Sequence, residues 1–318
     1  MSLSVSLRQN LERENPTPLF VTLEKNKVKL SDHLVKLLKI GKLYDEHDDF
    51  QTVVKKTQEA WLATNQGKGG IERTDLKDDL SEESNREDVI ETARQMGLFN
   101  ERRCSLLHYD YGICLGAFLD GVRSRISDLV NVWEKDDVTF DSLVFLTGER
   151  DLRIGDGKED DVKKLCDEKG YSLFKKGWKL PDGAKYKTEY DMVKLVWDQT
   201  ELPQGMAEAL KGKVTFVNAP RGDNQRPGTK ETYAEWVKSN PPEGSLLAPS
   251  YPLIWAYQDL AGRNALGKKY ALHTTAPAAT KELLEKNQHR IVSLVHDTVA
   301  KCLFEISNSD WVKALSTN

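Results

Sequence analysis

The chain has 318 residues, of which 39% are hydrophobic and 30% charged, and its net charge is −4. A folded chain of this size buries about 75% of the surface that it exposes when extended, so one or two domains with a substantial core are expected. The 46 Lys and Arg residues are outnumbered by 50 Asp and Glu. This balance argues against a protein that coats nucleic acid, and no apolar run is long enough to predict a membrane-spanning helix.

The cysteines and the N-terminus predict a cytoplasmic protein. Cys104, Cys114, Cys166 and Cys302 lie far apart and include no CxxC spacing. Neither a zinc ribbon nor a disulfide framework is therefore indicated, and we expect reduced thiols. Charged residues from Arg8 onward leave no apolar region of the kind that a signal peptide needs.

Residues 1–107 are predicted to form a helical N-terminal extension. Residues 72–88 are rich in Asp and Glu and predict an exposed acidic loop. A capping box of Ser84 and Glu87 then begins a short helix that ends at Gly97. Earlier in the extension, between positions 16 and 66, several residues recur at the spacing of a helix: Leu34, Leu37, Leu38, Val53, Val54, Thr57 and Trp61.

The pattern changes near residue 108 to that of a βαβ unit. An apolar run over Tyr109–Ala117 predicts a strand, an amphipathic stretch over Phe118–Trp133 predicts a helix, and a second apolar run over Phe140–Gly148 predicts another strand. Two strands joined by a helix within about forty residues run parallel through a right-handed crossover.

Alternating strands and helices continue to the end of the chain. A capping box of Thr188 and Asp191 begins one helix, and a last helix is predicted from about Thr280. The remaining elements are strands near 213–218, 245–248 and 270–273 and helices near 229–237 and 252–265. Five strands separated by helices predict a doubly wound, mainly parallel α/β sheet in three layers, a Rossmann-like domain over residues 108–318.

A long excursion interrupts this domain at residues 150–187. It is longer than an ordinary connection between a strand and a helix, so we expect a small helix around Asp160–Glu168 and consider the segment a candidate lid. Carboxylates such as Asp156 and Asp160 lie in it without the alternating pattern of a calcium loop. We therefore predict a solvated loop there.

The candidate site follows from where the strands end, since open parallel sheets bind ligands beyond the carboxyl ends of their strands. Arg150 and Arg221 follow two different strands, and guanidinium groups suit phosphate or carboxylate. The alternative is that they pair with Glu149, Asp151 or Asp223 on a wet rim. The other strand-end residues of interest are Gly116, Ala117, Gly148, Asn224, Thr229, Ser250 and His273.

Catalytic alternatives remain open at the same positions. Glu149 and Glu189 could act as an acid/base pair or hold a divalent ion beside a phosphate. Ser250 lies at a strand-to-helix turn and could act as a nucleophile with His273, or simply cap the following helix. The six histidines form no close pair, so no metal site is predicted.

The order of these segments resembles the SanA/YdcF-like family, a domain of unknown function, over about residues 108–300. The segments that carry the resemblance are Leu115-Gly116-Ala117, Arg123 and Arg125, Phe145–Arg150, Thr188–Met192 and Thr229–Thr232. The resemblance implies a Rossmann-like three-layer fold with a polar strand-end pocket for a nucleotide-like or other anionic small molecule. Two features depart from the family pattern: Thr232 replaces its usual Asn, and Ser250 is followed by Tyr251 and Pro252 without the family's His and Arg.

The sequence therefore predicts a protein that binds, and in one version processes, a small anionic nucleotide-like metabolite. The expected binding residues are Gly116, Ala117, Gly148, Arg150, Arg221, Thr229 and Thr232, with Glu149, Glu189 and Ser250 as catalytic candidates. A hydrolase or transferase is one alternative. A non-catalytic module that binds a protein through the acidic stretch or the N-terminal helices is another. No cofactor is assigned, and neither nucleic acid nor membrane is expected as a partner.

Overall fold

The computed structural model describes residues 15–25, 27–62, 73–79, 83–222 and 226–316, and their contacts define two compact units. The helical unit lies within Arg13–Arg103, Ser250–Asn264 and Ala276–Asn318, and the α/β unit contains Cys104–Pro249 and Ala265–Thr275. Residues 72 and 80–82 of the predicted acidic loop, together with Asp223 and Asn224, lie outside the described residues. None of the described helices is both long and apolar enough to cross a membrane.

The first part of the helical unit begins with a β-hairpin that was not predicted. Alternate residues of its second strand, among them Val28 and Leu30, are half-buried, the two-residue period of a strand. Ser31 and Asp49 then accept hydrogen bonds as helix N-caps. The elements are β1 (Val21–Glu24), β2 (Lys27–Leu30), α1 (Asp32–Ile40), α2 (Phe50–Trp61) and α3 (Arg86–Gln95).

The start of α3 also differs from the prediction. Its N-cap is Asn85, which makes no side-chain capping bond, rather than Ser84 in a capping box. The predicted end is confirmed, because Gly97 has a φ of +80°, a conformation that favours glycine after a helix.

The α/β unit contains five parallel strands with helices between them. The elements in chain order are β3 (His108–Leu115), α4 (Leu119–Lys135), β4 (Thr139–Gly148), α5 (Val162–Leu165), α6 (Glu189–Asp198), α7 (Gln204–Ala209), β5 (Val214–Ala219), α8 (Thr229–Lys238), β6 (Gly244–Pro249) and β7 (Tyr270–Thr275). Helix α9 (Trp255–Leu266), between β6 and β7 in the chain, lies almost entirely in the helical unit, although the prediction placed it in the Rossmann-like domain. The strand order is β5-β4-β3-β6-β7, and every pairing is parallel. This order reverses direction between β3 and β6, as in a doubly wound sheet, so the predicted fold class is confirmed.

Two apolar clusters cover the two faces of this sheet. One joins Cys114 and Phe145 of the strands to Ile126 of α4 and Val196 of α6. The other joins alternate residues of the same strands to Tyr233 and Trp236 of α8. Successive side chains of a strand point to opposite faces, so both faces are buried and the unit has three layers.

The C-terminal helices belong to the helical unit, although the prediction placed them in the Rossmann-like domain. They are α10 (Lys281–Lys286), α11 (Ile291–Ser307) and α12 (Asp310–Ser316). The predicted single helix from Thr280 is interrupted, because the Asn287 amide donates to the Leu283 carbonyl and its oxygen accepts from Arg290. Helix α11 is buried on almost every side and packs against α2, which explains where it belongs.

The N-cap of α6 can be tested by mutation. Thr188 accepts a hydrogen bond from the Asp191 N–H, and the Asp191 carboxylate accepts one from the Thr188 N–H. Thr188→Ala is therefore expected to lower the free energy of unfolding by about 0.5–2 kcal/mol, measured by urea denaturation. Thr229→Ala is the matched control, because that side chain is not the N-cap of α8; an equal loss in both variants would contradict the assignment.

Candidate functional site

The end of β3 is held in place by its own backbone bonds and by an arginine. The Gly116 N–H donates to the Leu146 carbonyl of β4 at 2.7 Å. Arg125 of α4 donates to the carbonyls of Leu115 and Gly116 at 2.7 and 2.8 Å. The strand end is thereby fixed against both β4 and the helix that follows it.

The Glu189 carboxylate lies directly over this strand end. Glu189 is the first residue of α6 and is only 7% exposed. Its Oε2 accepts the Gly148 N–H at 3.0 Å. A Cβ at position 116 would lie 2.7 Å from the Glu189 carboxyl carbon, so Gly116 leaves room for a side chain of the protein itself.

Arg150 joins this carboxylate to a second one. Its Nε donates to Glu189 Oε1 at 3.4 Å, and its terminal nitrogens donate to Asp160 Oδ2 and to the Ala117 carbonyl, each at 3.1 Å. Its guanidinium carbon lies 4.5 Å from the centre of the Phe118 ring. The arginine is 5% exposed, so it forms a buried ion cluster with Asp160 and Glu189.

Asp160 is completely buried, so the prediction of a solvated loop is wrong at this residue. Its Oδ1 accepts the Leu119 N–H at 3.1 Å and its Oδ2 accepts the Arg153 N–H at 3.0 Å. Because Leu119 begins α4, the carboxylate takes the place at a helix N-terminus that favours an anion. The reason for the error is that the backbone path of the excursion, not its composition, carries this residue inward.

The excursion is also tied down by Tyr186, whose hydroxyl donates to the Asp160 carbonyl at 3.0 Å. Burial, with a smaller contribution from the Asp160 charge, raises the pKa of this tyrosine well above its usual range. The hydroxyl therefore stays protonated and remains a donor.

Arg221 lies at the same edge but in a different environment. Its Nε donates to the Glu149 carbonyl at 2.8 Å, and its backbone N–H donates to the Glu149 carboxylate at 3.0 Å. Its guanidinium pairs with Asp151 at 2.7 Å, and this hydrogen bond raises the pKa of Arg221. Both side chains of the pair are exposed, whereas those of the Arg150 cluster are buried.

The start of α8 lies beside the end of β4. A Cβ at Gly148 would lie 3.1 Å from Pro227, two residues before Thr229. The Thr232 hydroxyl is buried and donates to the Thr229 carbonyl at 2.9 Å. The structure thus brings the predicted residues of β3, β4, β5, α6 and α8 to one edge of the α/β unit.

Ser250 is different, because it belongs to the helical unit. It is buried, and its hydroxyl donates to the Gln258 side-chain oxygen at 2.5 Å. His273 belongs to the α/β unit, where its Nδ1 lies 2.6 Å from the Ser105 hydroxyl and 2.9 Å from the Tyr109 hydroxyl. Sequence reasoning singled out neither of these two partners.

Asp160, Phe118 and Tyr186 are the members of the strand-end cluster that sequence reasoning did not select. No local motif marks them, since each is placed by the fold of the excursion or by the start of α4. Among the described residues, no group of three or more His, Cys, Asp or Glu side chains is placed to hold a metal ion.

The fold and this edge define an α/β chain with a Rossmann-like strand order and a buried ion cluster at its strand ends. No protein-family model, curated protein or solved structure matches the chain.

The two arginines should respond differently to substitution. Arg150→Met leaves two buried carboxylates without their cation, so we expect it to lower the free energy of unfolding by about 3–5 kcal/mol or to prevent folding. Arg221→Ala should leave the urea midpoint unchanged, because its ion pair is exposed. Equal midpoints for wild type and Arg150→Met would contradict the buried cluster.

Proposed function

We propose that the chain binds a small anionic, nucleotide-like metabolite at the carboxyl ends of β3, β4 and β5. The observation that carries this proposal is the convergence of Gly116, Gly148, Arg150 and Glu189, which come from three separate segments of the sequence, into one contact network with Arg221 exposed beside it. This edge lies where doubly wound sheets bind ligands. The resemblance to the SanA/YdcF-like family is part of the same proposal.

Arg150 and Arg221 have different roles in the proposed site. Arg150 is already neutralised by Asp160 and Glu189, and separating it from them would leave buried charges unpaired. Arg221 pairs with the exposed Asp151, and an exposed ion pair contributes little to stability. A ligand's phosphate or carboxylate can therefore replace Asp151 on Arg221, while Arg150 holds the strand ends in position.

Glu189 is assigned a binding role toward the hydroxyl groups of the ligand. The Gly148 N–H and the Arg150 guanidinium both donate to its carboxylate. A carboxylate has about four acceptor positions, which leaves room for a hydroxyl donor. Thr229 and Thr232 would lie on the α8 side of the ligand.

The catalytic alternatives have less support. The Ser250 hydroxyl is bonded to an amide oxygen, which is not a general base. Glu149 is exposed and accepts from the Arg221 backbone. Binding is therefore the function that the geometry favours over hydrolysis or group transfer. A cytoplasmic location belongs to the same proposal, supported by four cysteines that are all unpaired.

A ligand screen tests the proposal. Nucleotides and sugar nucleotides are added to the full chain, and those that raise the melting temperature are measured by isothermal titration calorimetry. A ligand at a hundred times its Kd should add about 2.7 kcal/mol to the free energy of unfolding. Arg221→Ala should weaken binding at least about tenfold, because a charge-assisted bond is lost.

Arg94→Ala is the matched control for this screen, since Arg94 also forms an exposed ion pair, with Glu91. It should bind as tightly as wild type. Absence of any stabilising ligand, or equal affinities of wild type and Arg221→Ala, would contradict the proposed site.

A further inference from the structure

The two edges of the parallel sheet differ in their exposure. All six residues of β7 are buried, whereas β5 contains the exposed residues Thr215 and Asn218. Among the strands that the structure describes, β5 pairs only with β4, so its other side is an edge of the described sheet. An open edge presents unpaired backbone groups to which another strand can add.

The hydrogen bonds of β5 show which backbone groups face outward. The carbonyls of Lys213 and Ala219 accept the backbone N–H groups of Leu143 and Glu149, and the Val217 carbonyl accepts the Thr147 hydroxyl. Because backbone groups alternate sides along a strand, those of Val214, Phe216 and Asn218 point away from the sheet. Beyond the ladder with β4, these three residues make no hydrogen bond to the part of the chain that the structure describes.

A groove of about 570 Å³ lies beside this edge. Its apolar lining includes Phe216, Trp197 and Leu202. Phe145 fixes the two aromatic rings, since it stacks on Phe216 at 4.8 Å and meets Trp197 edge-on at 5.3 Å between ring centres. The groove is therefore preformed and large enough to take an apolar side chain of a partner.

The charged residues in the lining of the groove are two lysines and two acidic residues. Lys175 and Lys194 line it, and neither forms an ion pair with a described carboxylate. The Asp198 carboxylate in the same lining is engaged, because it accepts the Trp178 indole N–H at 2.8 Å. Glu201 is the other acidic residue of the lining.

The excursion over residues 171–187, which meets the groove where Phe174 pairs with Thr200, is basic. This segment has one acidic residue, Asp182, and a net charge of +4, in a chain whose net charge is −4. Its basic residues are all exposed and form no ion pair within the described chain: Lys175, Lys176, Lys179, Lys185 and Lys187. The edge of β5 thus lies next to a local basic surface.

We propose that the β5 edge and its groove bind an extended acidic segment of a partner protein, which adds to the sheet as a sixth strand. The partner's backbone would pair with Val214, Phe216 and Asn218, and one apolar side chain would enter the groove. Flanking Asp or Glu residues would face Lys175 and Lys194. An alternating row of backbone donors and acceptors suits a peptide better than a phosphodiester chain.

This surface is separate from the strand-end site and does not depend on its ligand. It also differs from the acidic stretch and N-terminal helices that the sequence indicated for a protein partner. Lys213 and Pro220 flank β5, which limits uncontrolled pairing to the strand itself.

A designed peptide tests the proposal by fluorescence anisotropy with the full chain. The probe is fluorescein-labelled Glu-Glu-Val-Asp-Phe-Asp-Val-Glu-Glu, and its neutral version has Gln and Asn in place of the acidic residues. The acidic probe should bind at least about tenfold more tightly than the neutral one. Two further versions carry N-methyl groups on either set of alternate residues; one should lose binding and the other should keep it, because only one edge of the peptide can pair.

Variants of the chain locate the site. Lys194→Glu should weaken binding of the probe at least about tenfold, whereas Lys238→Glu, a charge reversal on α8, should not. Asn218→Pro removes one outward donor and should weaken binding relative to Asn218→Ala, with folding checked by circular dichroism.

Unchanged affinity in both Lys194→Glu and Asn218→Pro would overturn the proposal. Full binding by both N-methylated peptides would also overturn it. So would tight binding of labelled oligothymidylate that the acidic peptide cannot displace, since the surface would then be one for nucleic acid.

Discussion

Arg150 lies buried between the carboxylates of Asp160 and Glu189, and these residues come from three separate segments of the chain. The arginine lies two residues after the end of β4, the aspartate comes from the middle of the excursion, and the glutamate begins α6. Each carboxylate also accepts a backbone N–H, from Leu119 and from Gly148. A buried charge requires such partners, so the cluster fixes how the excursion and α6 meet the strand ends.

This cluster changes how the strand ends should be understood. A helix N-terminus and a glycine-ended strand normally leave space and donors for a ligand anion. Here the Asp160 carboxylate accepts from the N-terminus of α4, and the Glu189 carboxylate lies over Gly116 at the end of β3. The protein therefore supplies its own anions at both positions. Arg221 lies exposed at the same edge, and so does its ion-pair partner Asp151. The β5 edge is a second accessible surface of the same unit, and Lys175 and Lys194 beside it form no ion pair with a carboxylate of the described residues.

Much of the fold could be predicted from the sequence, because hydrophobic period and turn residues act locally. The strand ending at Gly148, the capping box at Thr188 and the helix end at Gly97 all follow from neighbouring residues. The hairpin at β1 and β2 was missed because its few apolar residues also fit a helical spacing. Glu189 could be selected because its helix start was visible. The burial of Asp160 could not be predicted from the sequence, because it depends on where a long irregular segment returns to the sheet. The membership of Ser250 in the helical unit likewise depends on long-range contacts.

A double-mutant cycle on Arg150 and Asp160 tests the buried cluster most directly. Arg150→Met, Asp160→Asn and the combined variant are unfolded with urea, and their free energies of unfolding are compared. The combined loss should be smaller than the sum of the single losses by about 1–3 kcal/mol, because Arg150→Met leaves Asp160 without its cation and Asp160→Asn leaves Arg150 with Glu189 as its one carboxylate partner in the cluster. Losses that add to within about 0.5 kcal/mol would show that the two groups do not interact, and the strand ends would then need another explanation.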